Sequence, residues 1–214
     1  MLVYETFTSL QGESTLAGRL CFFIRLAGCN LNCAYCDTRP ARDFAAGCER
    51  SISELVQQAV ESGAGFVELT GGEPLAAAET PELLRRLLAA GLTVALETNG
   101  SLPVKPVPAG VRRIIDYKMP SSGMAERMLP ENFTGLTALD EVKMVIGSRE
   151  DYDFARQVIE RFKLAEQPVE LLLSPVWGKI EFRDLAAWII ADRLPVRMQI
   201  QLHKIIWGAD AVGV

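Results

Sequence analysis

The sequence predicts an α/β fold with a mostly parallel sheet covered by helices, and three observations carry that expectation. Short apolar runs alternate with segments whose apolar residues recur at helical spacing; Gly, Pro, Asn and Ser close the runs; and unusual polar residues gather just after them. Repeated strand and helix units of this kind join through right-handed crossovers.

The elements follow in chain order. CFFIRL, residues 21 to 26, is an apolar strand that leads straight into a cysteine-bearing loop. Ser51 to Glu54 form a capping box, after which Ile52, Leu55, Val56, Ala59 and Val60 share one helical face until Gly63. FVELT, residues 66 to 70, is a strand ending in Gly71-Gly72-Glu73-Pro74. Thr80-Pro81 opens a helix with the stripe Leu83, Leu84, Leu87 and Leu88, stopped by Gly91. LTVALE is the next strand, closed by Thr98, Asn99 and Gly100. VRRIIDYK, residues 111 to 118, and EVKMVIG, residues 141 to 147, read as strands joined by a long loop with a short helix near Ala125 to Leu129. A helical stripe of Phe154, Ala155, Val158, Ile159 and Phe162, a strand at VELLLS, a helix over 182 to 191 and a strand at VRMQIQ complete the pattern. Periodicity does not choose between an open doubly wound sheet and a barrel.

Whole-chain properties set limits. The 214 residues suit one domain with a sizeable core; 49% are hydrophobic and 23% charged, an ordinary globular balance. A formal net charge of -5 with no basic stripe argues against nucleic acid as a partner. MLVYETFTSLQGEST lacks the basic and apolar regions of a signal peptide, and no later window reads as a membrane span. Five cysteines, an odd number with three packed between residues 29 and 36, fit a reducing compartment, so the expectation is a cytoplasmic protein.

That tight run, GCNLNCAYCDT over Gly28 to Thr38, carries the chemistry. Cys29, Cys33 and Cys36 supply three thiolates with no fourth partner nearby, a set that holds an iron-sulfur cluster with one open iron. A structural zinc knuckle is the competing reading, but it wants a fourth ligand, and neither Cys21, Cys48 nor His203 completes a paired-cysteine pattern. Cys21 reads as a small core residue and Cys48 as an incidental thiol in a loop. Further polar clusters follow the other strands, at Thr70 to Pro74, Glu97 to Gly100, Asp116 to Gly123 and Ser174 to Lys179. Each alone is turn chemistry; together they mark the sheet edge where parallel α/β folds place active sites.

With these residues in view, the sequence resembles the radical S-adenosylmethionine (SAM) enzymes, through its three-cysteine motif with Tyr35 before the last cysteine and through GGEP. Within that superfamily it is similar to the 7-carboxy-7-deazaguanine synthase family. That pattern lies in LQGE at 10 to 13, FIRLAGCNLNCAYCDT at 23 to 38, LTGGEPL at 69 to 75, ETNG at 97 to 100, DYKMPSSGM at 116 to 124 and QLHKIIW at 201 to 207.

The resemblance implies a partial, distorted (β/α)6 TIM-like barrel spanning the single domain 1 to 214, with a substrate-binding segment over 1 to 20 and a cluster loop over 28 to 38. It implies a [4Fe-4S] cluster on Cys29, Cys33 and Cys36, with SAM contacts at Tyr35, Asp37, Gly72, Glu73, Thr98, Asn99, Lys118 and Ser174. Substrate contacts are implied at Leu10, Gln11, Gly12, Arg25, Thr70 and His203, and a magnesium ion at Thr38, with Asp37 left to shape the loop or meet SAM. The implied reaction is the radical ring contraction of 6-carboxy-5,6,7,8-tetrahydropterin to 7-carboxy-7-deazaguanine with loss of ammonia, in queuosine biosynthesis, by a homodimer reduced by flavodoxin or a similar donor. Without the family match, Arg25 reads as a surface ion pair and His203 equally well as a satisfied polar contact. Two other classes share the cysteine loop. A glycyl-radical activating enzyme would not require LQGE, ETNG and HKIIW, and an electron-transfer protein would prefer four ligands.

Overall fold

Period-two apolar runs and well-capped amphipathic segments build one sheet with helices on its outer face. The computed structural model describes residues 1–209, 211, 213 and 214. Its strands are β1 (Leu2–Leu10), β2 (Leu20–Leu26), β3 (Cys48–Glu49), β4 (Phe66–Gly71), β5 (Thr93–Thr98), β6 (Arg112–Asp116), β7 (Asp140–Ile146), β8 (Glu170–Pro175) and β9 (Arg197–Met198). The α-helices are α1 (Ile52–Glu61), α2 (Thr80–Ala89), α3 (Arg149–Arg161), α4 (Phe182–Asp192) and α5 (Leu202–Ile206). Strand order is β3-β1-β2-β4-β5-β6-β7-β8-β9. Every neighbouring pair from β2 to β9 is parallel, whereas β1 runs antiparallel to both β2 and β3.

Local chemistry explains the boundaries. Ser51 Oγ accepts from Glu54 N at 3.1 Å at the start of α1, and Ser148 Oγ does the same from Asp151 N at 3.2 Å at the start of α3. Thr80 is the first residue of α2; its hydroxyl donates to the Pro74 carbonyl at 2.5 Å and pins the helix to the GGEP turn.

The sheet departs from the sequence expectation in four places. The amino-terminal segment is a nine-residue strand, β1, lying between β2 and the two-residue β3, which the reading of 1 to 20 as a binding segment leaves out. The crossover from β5 to β6 breaks the alternation, with no α-helix because Pro103, Pro106 and Pro108 forbid one, whereas β6 and β7 are joined as expected by a long loop whose 3-10 turns at Pro120–Ser122, Ala125–Arg127 and Pro130–Phe133 include the short helix near Ala125. VRMQIQ pairs only at Arg197 and Met198, because Gln199 and Gln201 turn their amides to Ser14 and Glu13. HKIIW, read as a motif without an element, supplies α5.

Alternate residues of each strand face opposite ways. Val67, Leu69, Val94 and Leu96 pack under Leu55 and Ala59 of α1 and Leu83, Leu84 and Leu87 of α2. Ile115, Val142 and Met144 pack with Tyr152, Ala155 and Val158 of α3 and Leu185 of α4. On the inner, concave face a small apolar floor of Cys21, Phe23, Phe66, Ala95 and Ile114 lies beneath a charged layer. Cys21 is thus the core residue expected, and Cys48 is an exposed free thiol on β3.

Candidate active site

The cysteine loop is fastened before any metal is considered. Gly28, at φ 96°, turns the chain out of β2; its N–H donates to Ala41 O at 2.8 Å, Cys29 N donates to Arg42 O at 3.1 Å, and Ala34 N donates to Ser122 O at 3.0 Å. Cys29 Sγ receives Leu31 N at 3.4 Å and Asn99 Nδ2 at 3.7 Å, donors that stabilise a thiolate. Burial pushes the Cys29 and Cys33 thiols above their ordinary value, so iron must displace their protons on binding.

The donor geometry separates the two metal readings. One zinc ion would draw its sulfur ligands to about 3.8 Å from one another. Among the described residues, the one group of three acidic, histidine or cysteine donors lying within 4.8 Å of one another is Glu13, Asp37 and His203. Cys29, Cys33 and Cys36 do not form such a group, so at least one pair of their sulfurs lies farther apart than 4.8 Å, wider than a single zinc ion would hold them.

The GGEP turn locks onto the start of this loop. Gly72 N donates to Leu26 O at 3.0 Å and Glu73 N to Gly28 O at 2.8 Å, while a Cβ on Gly72 would sit 2.0 Å from Gly28 O. With these N–H groups engaged, the turn can offer an approaching ammonium only carbonyl oxygen, which is the matching chemistry. Glu73 has another duty. Its carboxylate accepts from Leu75 N at 2.9 Å, Thr98 Oγ1 at 2.7 Å and Asn99 N at 2.7 Å, binding the turn to the end of β5. Burial nevertheless pushes its carboxyl above the ordinary value.

Below the cysteines lies the charged layer. Lys143 Nζ meets Glu13 Oε2 at 2.9 Å, contacts Glu97 and lies 3.9 Å from Asp116 Oδ1. Burial alone would push its ammonium down; Asp116, Glu13 and Glu97 outweigh that and hold Lys143 well above the ordinary lysine value. Burial, then the nearby Glu97, pushes Glu68 well up, and Glu68 accepts from Gln11 Nε2. Gln11 Oε1 accepts from Glu13 N at 3.0 Å, so its amide is oriented from both sides. Arg25 donates through Nε to Glu5 Oε1 at 2.8 Å and lies 5.6 Å over the Phe7 ring, which stacks on Phe23. It is an ion pair, but one turned inward.

The two chain ends close the cavity. Leu202 N donates to Gly12 O at 2.9 Å, and a Cβ on Gly12 would lie 2.1 Å from His203 Nδ1, so only glycine admits the ring there. Gln201 Nε2 bridges Glu13 Oε1 at 2.9 Å and Asp37 Oδ2 at 3.2 Å, and Lys204 Nζ reaches Asp37 Oδ2 at 3.3 Å. Burial lowers the His203 value, leaving a neutral imidazole.

Most of these residues line one cavity of about 290 Å³, near the lower limit of about 300 Å³ for small-molecule sites. Its wall includes Leu10, Gln11, Gly12, Arg25, Cys29, Cys33, Tyr35, Cys36, Asp37, Thr38, Thr70, Gly72, Thr98, Asn99, Lys118 and His203. Two expected SAM contacts are absent from that wall. Glu73 is buried in its own hydrogen bonds, and Ser174 is fully buried with no partner for its Oγ. Lys118 donates to Asp116 Oδ2 at 2.6 Å, and Tyr35 donates to Val145 O at 3.4 Å. Sequence reading assigned no roles to Glu13, Glu68, Glu97, Asp116, Lys143 and Gln201. The available signal was charge beside buried apolar residues: Glu68 interrupts FVELT, Lys143 splits Val142 from Met144, and Asp116 follows Ile114 and Ile115.

The site accepts the group its cysteines suggest. Asp116 Oδ1 is a buried acceptor without a donor, and the carbonyl-bearing GGEP turn stands beside three open thiols: acceptors for a ligand's ammonium and hydroxyls next to ligands for iron. Such a fold and site define a radical SAM enzyme, and the model of the Radical SAM superfamily matches residues 23–189. The 7-carboxy-7-deazaguanine synthase of Chlorobaculum tepidum is 44% identical over 99% of this chain and 96% of its own length. That of Methanospirillum hungatei is 40% identical over 96% of this chain and 85% of its own length. The crystal structure of QueE from Escherichia coli superposes with a TM-score of 0.77 at 23% identity, covering 94% of both chains. This chain belongs to the 7-carboxy-7-deazaguanine synthase family. Its partial barrel is the family's fold, and its cofactors are a [4Fe-4S] cluster and SAM. Among the described residues, no helix is long and apolar enough to cross a membrane.

Proposed function

We propose that this chain converts 6-carboxy-5,6,7,8-tetrahydropterin to 7-carboxy-7-deazaguanine and ammonia, as a radical lyase of queuosine and 7-deazapurine biosynthesis. The observation that carries the reading is one small cavity with the three cysteines on its wall together with Gln11, Gly12, Arg25, Thr70 and His203. When bound, the cluster and SAM supply a carbon radical that takes a hydrogen atom from the substrate.

The chain's own residues bind and orient. Arg25, held through Nε by Glu5, keeps its terminal nitrogens for the substrate carboxylate. Gln11, fixed by Glu68 and the Glu13 backbone, presents its remaining N–H at a set angle, and Thr70 adds a hydroxyl. Neutral His203 donates from one ring nitrogen and accepts at the other. Tyr35, Asn99, Thr98, Gly72 and Lys118 line the SAM end; for Glu73 and Ser174 the support is indirect, through the turn and strand end they hold.

Magnesium belongs to the same reading, at Thr38. Its support is an oxygen-rich neighbourhood: Thr38 Oγ1 lies 3.5 Å from Asp37 Oδ1, and Asp37 shares with Glu13 and His203 the compact donor group described above. Flavodoxin or a similar low-potential protein supplies the electron. Pairing of two copies is supported by the apolar surface left exposed at Ile205, Ile206 and Trp207, and a cytoplasmic location by five free thiols.

The test is anaerobic incubation of the reconstituted protein with SAM, reductant, magnesium and the carboxylated tetrahydropterin, with mass detection of the deazapurine. Formation of product with release of ammonia is expected. No product, despite an intact cluster and demonstrated sulfonium cleavage, refutes the lyase reading and keeps the radical SAM assignment.

A further inference from the structure

The cysteine loop has a second side. Opposite the substrate cavity, its outer surface forms an open depression lined by Cys29, Arg39, Arg42, Asp43, Met124 and Arg127 among others. Cys29 and Leu31 line both spaces, so they form the wall between them. Three arginines against one aspartate make this hollow cationic on a chain whose net charge is -5. Asp43 is partly occupied, since its Oδ1 accepts from Ala45 N at 2.9 Å. Arg39 braces the loop by donating to Ala34 O at 2.7 Å, whereas the half-buried Arg42 and exposed Arg127 make no ion pair with an acid among the described residues.

Small molecules already have the inner cavity, and SAM must enter there to meet the substrate. An electron donor needs a short path to the cluster that leaves that cavity free, because tunnelling falls steeply with distance. The outer face of Cys29 offers it. Charge complementarity then selects the donor, since a cationic hollow on an acidic protein steers an anionic partner to that one place.

We propose that the hollow around Arg39, Arg42 and Arg127 is the docking face for an acidic low-potential electron-transfer protein. The proposal rests on the cluster assignment of Cys29, Cys33 and Cys36. The partner's reduced cofactor is oxidised by one electron and the cluster is reduced by one; no proton or group is transferred.

The experiment measures the Kd between the reconstituted enzyme and a purified acidic flavodoxin by calorimetry at low and moderate salt. Arg42→Glu with Arg127→Glu is expected to weaken binding about tenfold or more and to flatten its salt dependence. Dithionite-driven product formation and iron content stay within about twofold of the parent, because neither side chain touches cofactor or substrate. A control pair on another face, Arg183→Glu with Arg197→Glu, leaves the Kd unchanged. A Kd insensitive to the first pair, or equally sensitive to both pairs, overturns the docking face. Should the charge-reversed pair fail to load iron, Arg127→Ala alone is expected to weaken binding about threefold, and an unchanged Kd there overturns it. Absence of dithionite-driven product in the unsubstituted protein would count against the lyase activity instead, while the binding series still decides the docking face.

Discussion

The two faces of the sheet share the same strands yet obey different rules. On β4 and β5 the outward residues Leu69 and Leu96 are fully buried under helices, while the inward neighbours Glu68 and Glu97 are held in a charged layer. Likewise Ile115 and Val142 face outward, and Asp116 and Lys143 inward. A one-residue step along a strand therefore changes the duty of a side chain from holding the fold to holding a ligand. The outer face is stabilised by apolar area; the inner face carries desolvated charges that are tolerated only because each has a partner.

Substitutions on either face can break or sharpen this contrast. Cys33→Ala is expected to abolish cluster assembly and turnover completely, read as loss of the brown absorbance after anaerobic reconstitution, with the circular dichroism of the fold unchanged. Next comes Lys143→Met, which leaves Glu13 and Glu97 without their cation while Asp116 keeps Lys118; stability should fall by about 3–5 kcal/mol at pH 7 in urea unfolding, with partial recovery at low pH as those two acids are protonated. If Lys143→Met is neutral, the inner layer is less desolvated than described. Leu96→Ala on the outer face should lose about 2–5 kcal/mol with no such pH dependence, and kcat/KM measured well below the melting point should be retained. Arg25→Ala should raise the substrate KM about 10- to 100-fold, as expected for losing hydrogen bonds to a charged group, and leave cluster content intact. The smallest effect belongs to Ser51→Ala, which removes the α1 cap and should lower stability by about 1 kcal/mol without touching kinetics.

The outer face was the legible one. Helical stripes such as Leu83, Leu84, Leu87 and the capping box at Ser51 declare themselves over a few residues, because helix periodicity and cap chemistry are local. The cluster loop was legible for the same reason, its three thiols lying within one turn of chain. What escaped depends on distant partners. β1 alternates only weakly, and its identity as a strand comes from pairing with β2 and β3. The Lys143 network draws on four separate segments, and no single segment shows that its charge is answered elsewhere. Glu73 shows the opposite case: a residue legible as part of a motif, whose carboxylate serves the turn rather than the cavity.

The contact between Gly12 and His203 has a consequence for the order of synthesis. The backbone of the loop bearing Cys29, Cys33 and Cys36 is fastened by partners no later in the chain than Ser122, and only the side chains of Tyr35 and Asp37 reach later ones, whereas the substrate end is finished by Gln201, Leu202 and His203. A ribosome therefore delivers every iron ligand, and the backbone that holds them, long before the residues that complete the substrate end. The metal centre and the pocket it serves are built at opposite ends of translation.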